Sequence, residues 1–575
     1  MVSCGKLTEF LRVFPWGRKS DRLRCLRAAE APLSDPTSGY CMSPESSADP
    51  SNTPAAADHR HSGCAAERPT LAAVPETGAR GLLDSMIGAT SREPRDPGAA
   101  AAPTAFLDRF LEASSHSAAV RLWFGRDLPQ TKDQLARTLN RDIALLDGLL
   151  SDQLNAVIHH PRFKKLEASW QGLHYLVDET REGSNVKIRV LNVSWKELAR
   201  DAEAFDFDQS QLFRKVYSGE FGVPGGEPFG VLIGDYEIRP GLDKDHPVDD
   251  VATLRSISHV SAAAFAPFVA AAHPSMFGLE DFTGLERTID LQRIFDQKKY
   301  LSWQSFRKEE DSRFVGLTMP RVLARLPYED DPARADGFRF REDVSGPDRK
   351  KYLWGNAAFA FAGVLVRAFA ETGWFADIRG VRRGIETGGL VTGLPAHSFA
   401  TDRRNVAQKA STDVVITDIL EKSLSELGFI PLCHCKDTEF SAFYTNASVQ
   451  RPKKYDRRVA TVNARMSAML QYMLCVSRFS HYLKVITRDN IGSFIEAKDC
   501  EDDLTRWLAN YITPDTDAAA EVKSRHPLRE AKVEVRARPG GPGTFDCVVH
   551  LWPHYELDDL TASIRVKSEL APMQE

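Results

Sequence analysis

From Leu135 onward the apolar residues recur every three or four positions: Leu135, Leu139, Ile143, Leu146, Leu150, Leu154 and Val157. That period belongs to one face of an α-helix. Thr131-Lys132-Asp133-Gln134, just before the run, has the spacing of a capping box. Pro161 closes this helix and suits the first turn of the next, which places Phe163, Leu166, Trp170, Leu173 and Val177 on one face. The period then changes. After the turn residues Gly183-Ser184-Asn185, Val186, Ile188 and Val190 alternate with Lys187 and Arg189, as in a half-buried strand. Phe229–Ile233 predicts a buried strand and Asp249–Phe265 a helix; Ala357–Phe369, Ala460–Ile486 and the shorter Thr505–Ile512 also predict helices. Strand alternation dominates the C-terminus, in Lys532–Arg536, Phe545–Leu551 and Ala562–Val566, with Pro539-Gly540-Gly541-Pro542-Gly543 as a turn. The expected class is α/β (or α+β): mixed sheets with flanking helices and a strand-rich C-terminal end.

Residues 1–104 follow neither period. They hold eleven prolines, are rich in Ala, Ser and Gly, and contain few aromatics. Such a stretch buries too little apolar surface to offset its ordering entropy, and a disordered extension is expected. One island interrupts it. Within residues 81–90, Leu82, Leu83, Met86 and Ile87 share a helical face. A helix this short is marginal alone and forms mainly on a partner.

Composition narrows the function class. A net charge of −5 over 575 residues is mild and gives no reason to expect nucleic acid as the main partner. The longest apolar runs, Val260–Ala272 and Ala357–Val366, are broken by Pro267 and ended by Arg367, too short to span a bilayer. Leu7–Pro15 carries Arg12 and lacks a small-residue cleavage site, so no secretory signal and no direct membrane insertion are expected. The expected location is cytoplasmic. Nine irregularly spaced cysteines there are expected to be free thiols.

The common catalytic and cofactor signatures are missing from the sequence: no phosphate-binding loop ending in Lys-Ser or Lys-Thr, no H-E-x-x-H, no nucleophile elbow. Gly225-Gly226-Glu227-Pro228 lacks the lysine of a phosphate cradle and predicts a tight turn. The adjacent ligands of Cys433-His434-Cys435 cannot easily close a tetrahedron, and no second pair has zinc-like spacing. No metal and no cofactor are expected. The charged run Arg307-Lys308-Glu309-Glu310-Asp311-Ser312-Arg313 is the one place where an enzyme on an unfamiliar fold would find acid–base groups, although mixed-sign runs are more often ion pairs. The basic run Arg451, Lys453, Lys454, Arg457 and Arg458 is too local for nucleic acid and suits an acidic surface on a neighbouring subunit.

From His159 onward the chain resembles the TssC/VipB family, the large sheath subunit of type VI secretion systems. The resemblance rests on collinear blocks over some 400 residues. They include His159-His160-Pro161, Leu166-Glu167-Ala168-Ser169-Trp170-Gln171-Gly172-Leu173, Ile233-Gly234-Asp235-Tyr236 and Glu310-Asp311-Ser312-Arg313. Tyr352-Leu353-Trp354-Gly355-Asn356, Gln450-Arg451-Pro452-Lys453, Ser477-Arg478-Phe479-Ser480-His481-Tyr482 and Arg525-His526-Pro527-Leu528 continue the series. Trp552-Pro553-His554 departs from the pattern, standing where Arg-Pro-His is more usual.

The resemblance implies a structural protein with no active site. It implies pairing with a small sheath subunit of the TssB/VipA type, and self-assembly in stacked hexameric rings around an inner tube on a baseplate. Contraction would propel the tube and its effectors, and an AAA+ unfoldase of the ClpV type would disassemble the contracted form. It further implies that strands at the C-terminal end are exchanged between subunits, with Phe545, Cys547, Val549 and Leu551 on the linking strand, and that Leu82, Leu83, Met86 and Ile87 form the unfoldase-binding helix. The expected division is an extension over 1–104, a helical segment over 105–160, a main domain over 161–435 and a C-terminal sheath domain over 440–570.

Overall fold

The computed structural model describes residues 103–554, apart from 126–127, 181–184, 244, 288, 331–337, 347, 383, 397–409, 436–437, 490–495, 516 and 538–544. The island at Gly81–Ile87, the turn at Pro539–Gly543 and the strand at Ala562–Val566 lie outside the described residues.

Two short helices, α1 (Pro103–Leu111) and α2 (His116–Phe124), precede the long α3 (Lys132–Ile158). Thr131 caps α3, its hydroxyl accepting from the Gln134 amide at 3.3 Å, which is one half of the expected capping box. α3 runs unbroken for 27 residues. α4 (Pro161–Asp178) begins with Pro161 in its first turn. Next comes a difference from expectation. Val186 and Ile188 are half-buried and Lys187 and Arg189 exposed, as the alternation requires, yet residues 186–190 form no strand. Side chains hold this segment instead: Lys187 and Arg189 pair with Glu227, Arg189 also with Glu220, and the Arg189 guanidinium sits 5.7 Å from the centre of the Phe229 ring.

A reciprocal capping box of Ser194 and Glu197 starts α5 (Trp195–Ala204), and a π-helix over Arg214–Phe221 leads to the sheet. The sheet elements and their helices are β1 (Leu232–Ile238), α6 (Asp250–Ala264), β2 (Phe268–Ala272), β3 (Val315–Met319), α7 (Ala357–Thr372), β4 (Leu390–Val391), α8 (Asp418–Glu426), β5 (Ile430–His434) and β6 (Ser441–Phe443). Spatially the strands run β1-β2-β3-β5-β6-β4; the first four are parallel, and β6 is antiparallel to both β5 and β4. The sheet is therefore mixed, with helices on both faces.

A parallel sheet buried on both sides needs apolar residues at successive positions, and β2 and β3 are buried throughout. Phe268, Ala270, Val315, Leu317 and Met319 face one core with α6 and the aromatic group Phe277, Trp303, Phe306 and Phe429. Val269 and Ile430 face the other, filled by Phe361, Leu365, Phe443, Leu470 and Leu474. Each of the larger side chains among them contributes about 1.5–3 kcal/mol of hydrophobic stabilisation. Most of α7 is buried; Asn356 caps it, accepting from the Ala358 amide at 2.8 Å, and Gly373, with φ 77°, ends it in the left-handed conformation. α4 packs on α7 at Gly172, where even a Cβ would come within 2.3 Å of the Phe359 ring.

The expected helix over Ala460–Ile486 is two, α9 (Arg458–Ser467) and α10 (Leu470–Asp489). The apolar period carries through the break; tertiary hydrogen bonds make it, Ser448 donating to the Ala468 carbonyl and Leu470 to that of Asn446, both at 2.9 Å. α11 (Ala497–Ala509) begins eight residues before the expected Thr505 start and ends before Ile512. After α12 (Ala520–Arg525), β7 (Leu528–Ala537) and β8 (Phe545–Pro553) form an antiparallel hairpin whose inner face lies on α11.

Candidate interaction surfaces

The carboxyl ends of parallel strands are where an open α/β sheet usually holds a ligand. Here that place is filled by the chain's own charges. Arg321, just past β3, donates to both oxygens of Glu237 on β1, at 2.6 and 2.9 Å, and His273, just past β2, stands 3.9 Å from the same carboxylate. Asp413 closes the cluster, its amide donating to the Arg321 carbonyl at 3.1 Å. Burial raises the Asp413 carboxyl to about 7 and lowers the His273 imidazole to about 4.

The run Arg307–Arg313 forms no catalytic constellation. Arg307 is buried, donating to the backbone carbonyls of Val449 at 2.9 Å and Glu426 at 3.0 Å, and burial lowers its guanidinium to about 10. Glu309 takes the Arg255 guanidinium at 2.9 Å and Asp311 takes the His259 ring at 2.8 Å. These contacts pin the segment to α6 and to the chain around residue 450. In Cys433-His434-Cys435, Cys433 is buried on β5 and its thiol is raised to about 12 by that burial. Among the described residues no group of three or more metal-binding side chains comes together, and no helix is long and apolar enough to cross a membrane.

The basic run is displayed. Arg451, Lys453, Lys454 and Arg457 are exposed and make no ion pair with a described residue; Arg458 opens α9. Phe545, Val549 and Leu551 face the core beside α11, while Cys547 is exposed. Their strand already has a partner in its own chain: β8 pairs with β7 from Phe545↔Ala537 to Trp552↔Glu530. The far edge of β7 is partly closed, since Thr513 donates to the Leu528 carbonyl at 2.9 Å and Glu501 accepts from the Val535 amide at 3.1 Å. Among the described residues no strand pairs with the far edge of β8. Leu82, Leu83, Met86 and Ile87 lie outside the described residues.

A further surface comes from residues the sequence reading took only as helix faces. On α4, Leu166, Trp170 and Val177 are 53%, 50% and 54% exposed, at the spacing of one continuous stripe. α3 leaves Ile143, Leu150 and Val157 exposed as well. α3 is tied to the sheet body near its C-terminus, where the Asn155 side chain accepts from the Asp343 amide at 3.0 Å and His159 meets Glu342 at 3.3 Å. Glu342 and Glu167 share the Arg325 guanidinium in the same joint.

Comparison with known proteins identifies the family. Residues 140–450 match the family model "EvpB/VC_A0108, tail sheath N-terminal domain", and residues 459–570 match "EvpB/VC_A0108, tail sheath gpW/gp25-like domain". The type VI secretion system sheath protein TssC1 of Pseudomonas aeruginosa is 42% identical over 464 residues, covering 80% of this chain and 91% of that protein. A chain in the anti-feeding prophage baseplate aligns at a TM-score of 0.33 and 10% identity, over 67% of this chain and 84% of that one, and nothing follows from so slight a likeness. Two sheath-domain matches in chain order and the close similarity to TssC1 establish that the chain belongs to the TssC/VipB tail sheath family of type VI secretion systems.

Proposed function

We propose that the chain is the large subunit of a contractile sheath and acts through assembly rather than covalent catalysis, in the cytoplasm. It pairs with a small sheath subunit; the pairs stack as hexameric rings around an inner tube on a baseplate, and contraction propels the tube with its effectors. The observation that carries this reading is the apolar stripe Leu166, Trp170 and Val177 with the exposed apolar residues of α3, surface that a solitary soluble chain rarely displays. We assign this stripe to the small subunit. Arg451, Lys453, Lys454, Arg457 and Arg458 meet an acidic surface on a neighbour, and the edge of β8 away from β7 receives a neighbour's strand. The expected division places the stripe within 161–435 and the hairpin within 440–570. No nucleic acid takes part.

Co-expression with a small sheath subunit, followed by negative-stain microscopy, tests the reading. The parent chain is expected to give tubes with the partner and to aggregate without it. Leu166→Glu with Trp170→Glu is expected to abolish co-purification of the partner while leaving the chain's circular dichroism unchanged. A monodisperse parent chain without its partner, or full pairing by the double variant, would refute it.

A further inference from the structure

The hairpin β7–β8 and α11 enclose a small core to which each side contributes a cysteine. α11 turns Cys500, Leu504 and Leu508 inward, one every four residues, and all three are buried. On β8 the inward row is Phe545, Cys547, Val549 and Leu551, since alternate residues of a strand share a face. Three of these pack on the core, whereas Cys547 is exposed and makes an opening in the row. Its cross-strand partner is Val535. The Val535 amide in turn donates to the Glu501 carboxylate at 3.1 Å, which anchors the turn of α11 that carries Cys500 at this level of the hairpin.

Both thiols are free, and they occupy unequal places: Cys547 is open to solvent, while Cys500 is 7% exposed. Burial raises the Cys547 thiol, and the neighbouring Cys500 raises it further; burial, then Asp503, raises the Cys500 thiol. The thiolate is the nucleophile, so at neutral pH the two stay mostly protonated and react slowly unless an oxidant is in excess. An accessible thiol beside a sheltered one divides the work of oxidation, the first taking up the oxidant and the second displacing it.

We propose that Cys500 and Cys547 form a reversible dithiol–disulfide site, oxidised by a low-molecular-weight disulfide, whose bridge ties β8 to α11. The Cys547 thiolate attacks one sulfur of the small disulfide, forming a mixed disulfide and releasing one small thiolate. The Cys500 thiolate then attacks the Cys547 sulfur and releases the second. The two released thiolates take up the two protons the cysteines lose, and the pair is oxidised by two electrons as the small disulfide is reduced to two thiols. The site is independent of the sheath reading, because its absence would leave the family and the pairing surface unchanged.

The test incubates the full-length chain, purified alone or with a small sheath subunit, with oxidised glutathione and maps it by mass spectrometry without reduction. An intrachain 500–547 bridge in most molecules, reopened by dithiothreitol, is expected. Cys500→Ser is expected to stop at a glutathione adduct on Cys547, with Cys500→Ala as the second variant should the serine not fold. Cys547→Ser is expected to label at Cys500 more slowly than that by about tenfold or more, because the thiol is sheltered. An adduct on Cys547 that persists in the parent chain, or a parent left unmodified, overturns the proposal. So does a bridge from Cys547 to Cys475 or to a second chain, and so does equal labelling of the two cysteines in the single variants.

Discussion

Asp413 shows how one side chain sets a pH dependence. It is 5% exposed, its Oδ1 has no hydrogen-bond partner, and burial holds its carboxyl at about 7 against an ordinary value of 3.8. A raised carboxyl binds its proton more tightly in the folded chain than in the unfolded one. The folded state therefore loses stability as pH rises from about 4 to about 7, and little more is lost above that. His481 works in the opposite sense: burial lowers it to about 4, so its contribution is complete above about 6.5 and is lost as pH falls toward 4. Asp413→Asn keeps the site neutral at every pH. Thermal melts at pH 5 and pH 8 are expected to show the variant gaining on the parent at the higher pH, by an amount on the order of a few kcal/mol. A parent-to-variant difference independent of pH would place the titration elsewhere.

At the scale of elements the hairpin decides most. Successive residues of a strand turn their N–H groups to opposite edges, so of Val548 and Val549 one donates toward β7 and the other toward the far edge of β8. Val548→Pro and Val549→Pro are therefore expected to split: one opens the hairpin and unfolds its packing on α11, the other leaves the fold intact and shortens or abolishes tubes. Tubes of normal length from both variants would rule out strand addition at this edge. Most elements were legible from pattern alone, because a capped amphipathic helix such as α3 or an alternating strand such as β8 carries its period locally. The misses had tertiary causes. Residues 186–190 alternate but are held by ion pairs to Glu220 and Glu227, and the gap between α9 and α10 is made by backbone bonds to Asn446 and Ser448. The stripe on α4 was visible as periodicity, but periodicity alone does not say which side of the chain's boundary its cover comes from.

For the molecule as a whole, the apolar island Leu82, Leu83, Met86 and Ile87, expected from the sequence to bind an unfoldase, precedes the described residues. We infer that its apolar face seats in a groove of an AAA+ unfoldase only after contraction, each buried side chain contributing about 1.5–3 kcal/mol before ordering costs. Leu83→Asp with Met86→Asp is expected to leave assembly and contraction intact while contracted sheaths accumulate. Equal capture of parent and variant sheaths by the unfoldase's N-terminal domain would end that reading. The long helix α3 has a mechanical consequence. Its 27 residues make a rod about 40 Å long, and the Asn155 and His159 contacts grip it near one end. A rod held in this way is a lever: a rotation of about 10° at the grip carries the far tip through about 7 Å, so a small repacking around Glu342 becomes a displacement larger than one helical turn.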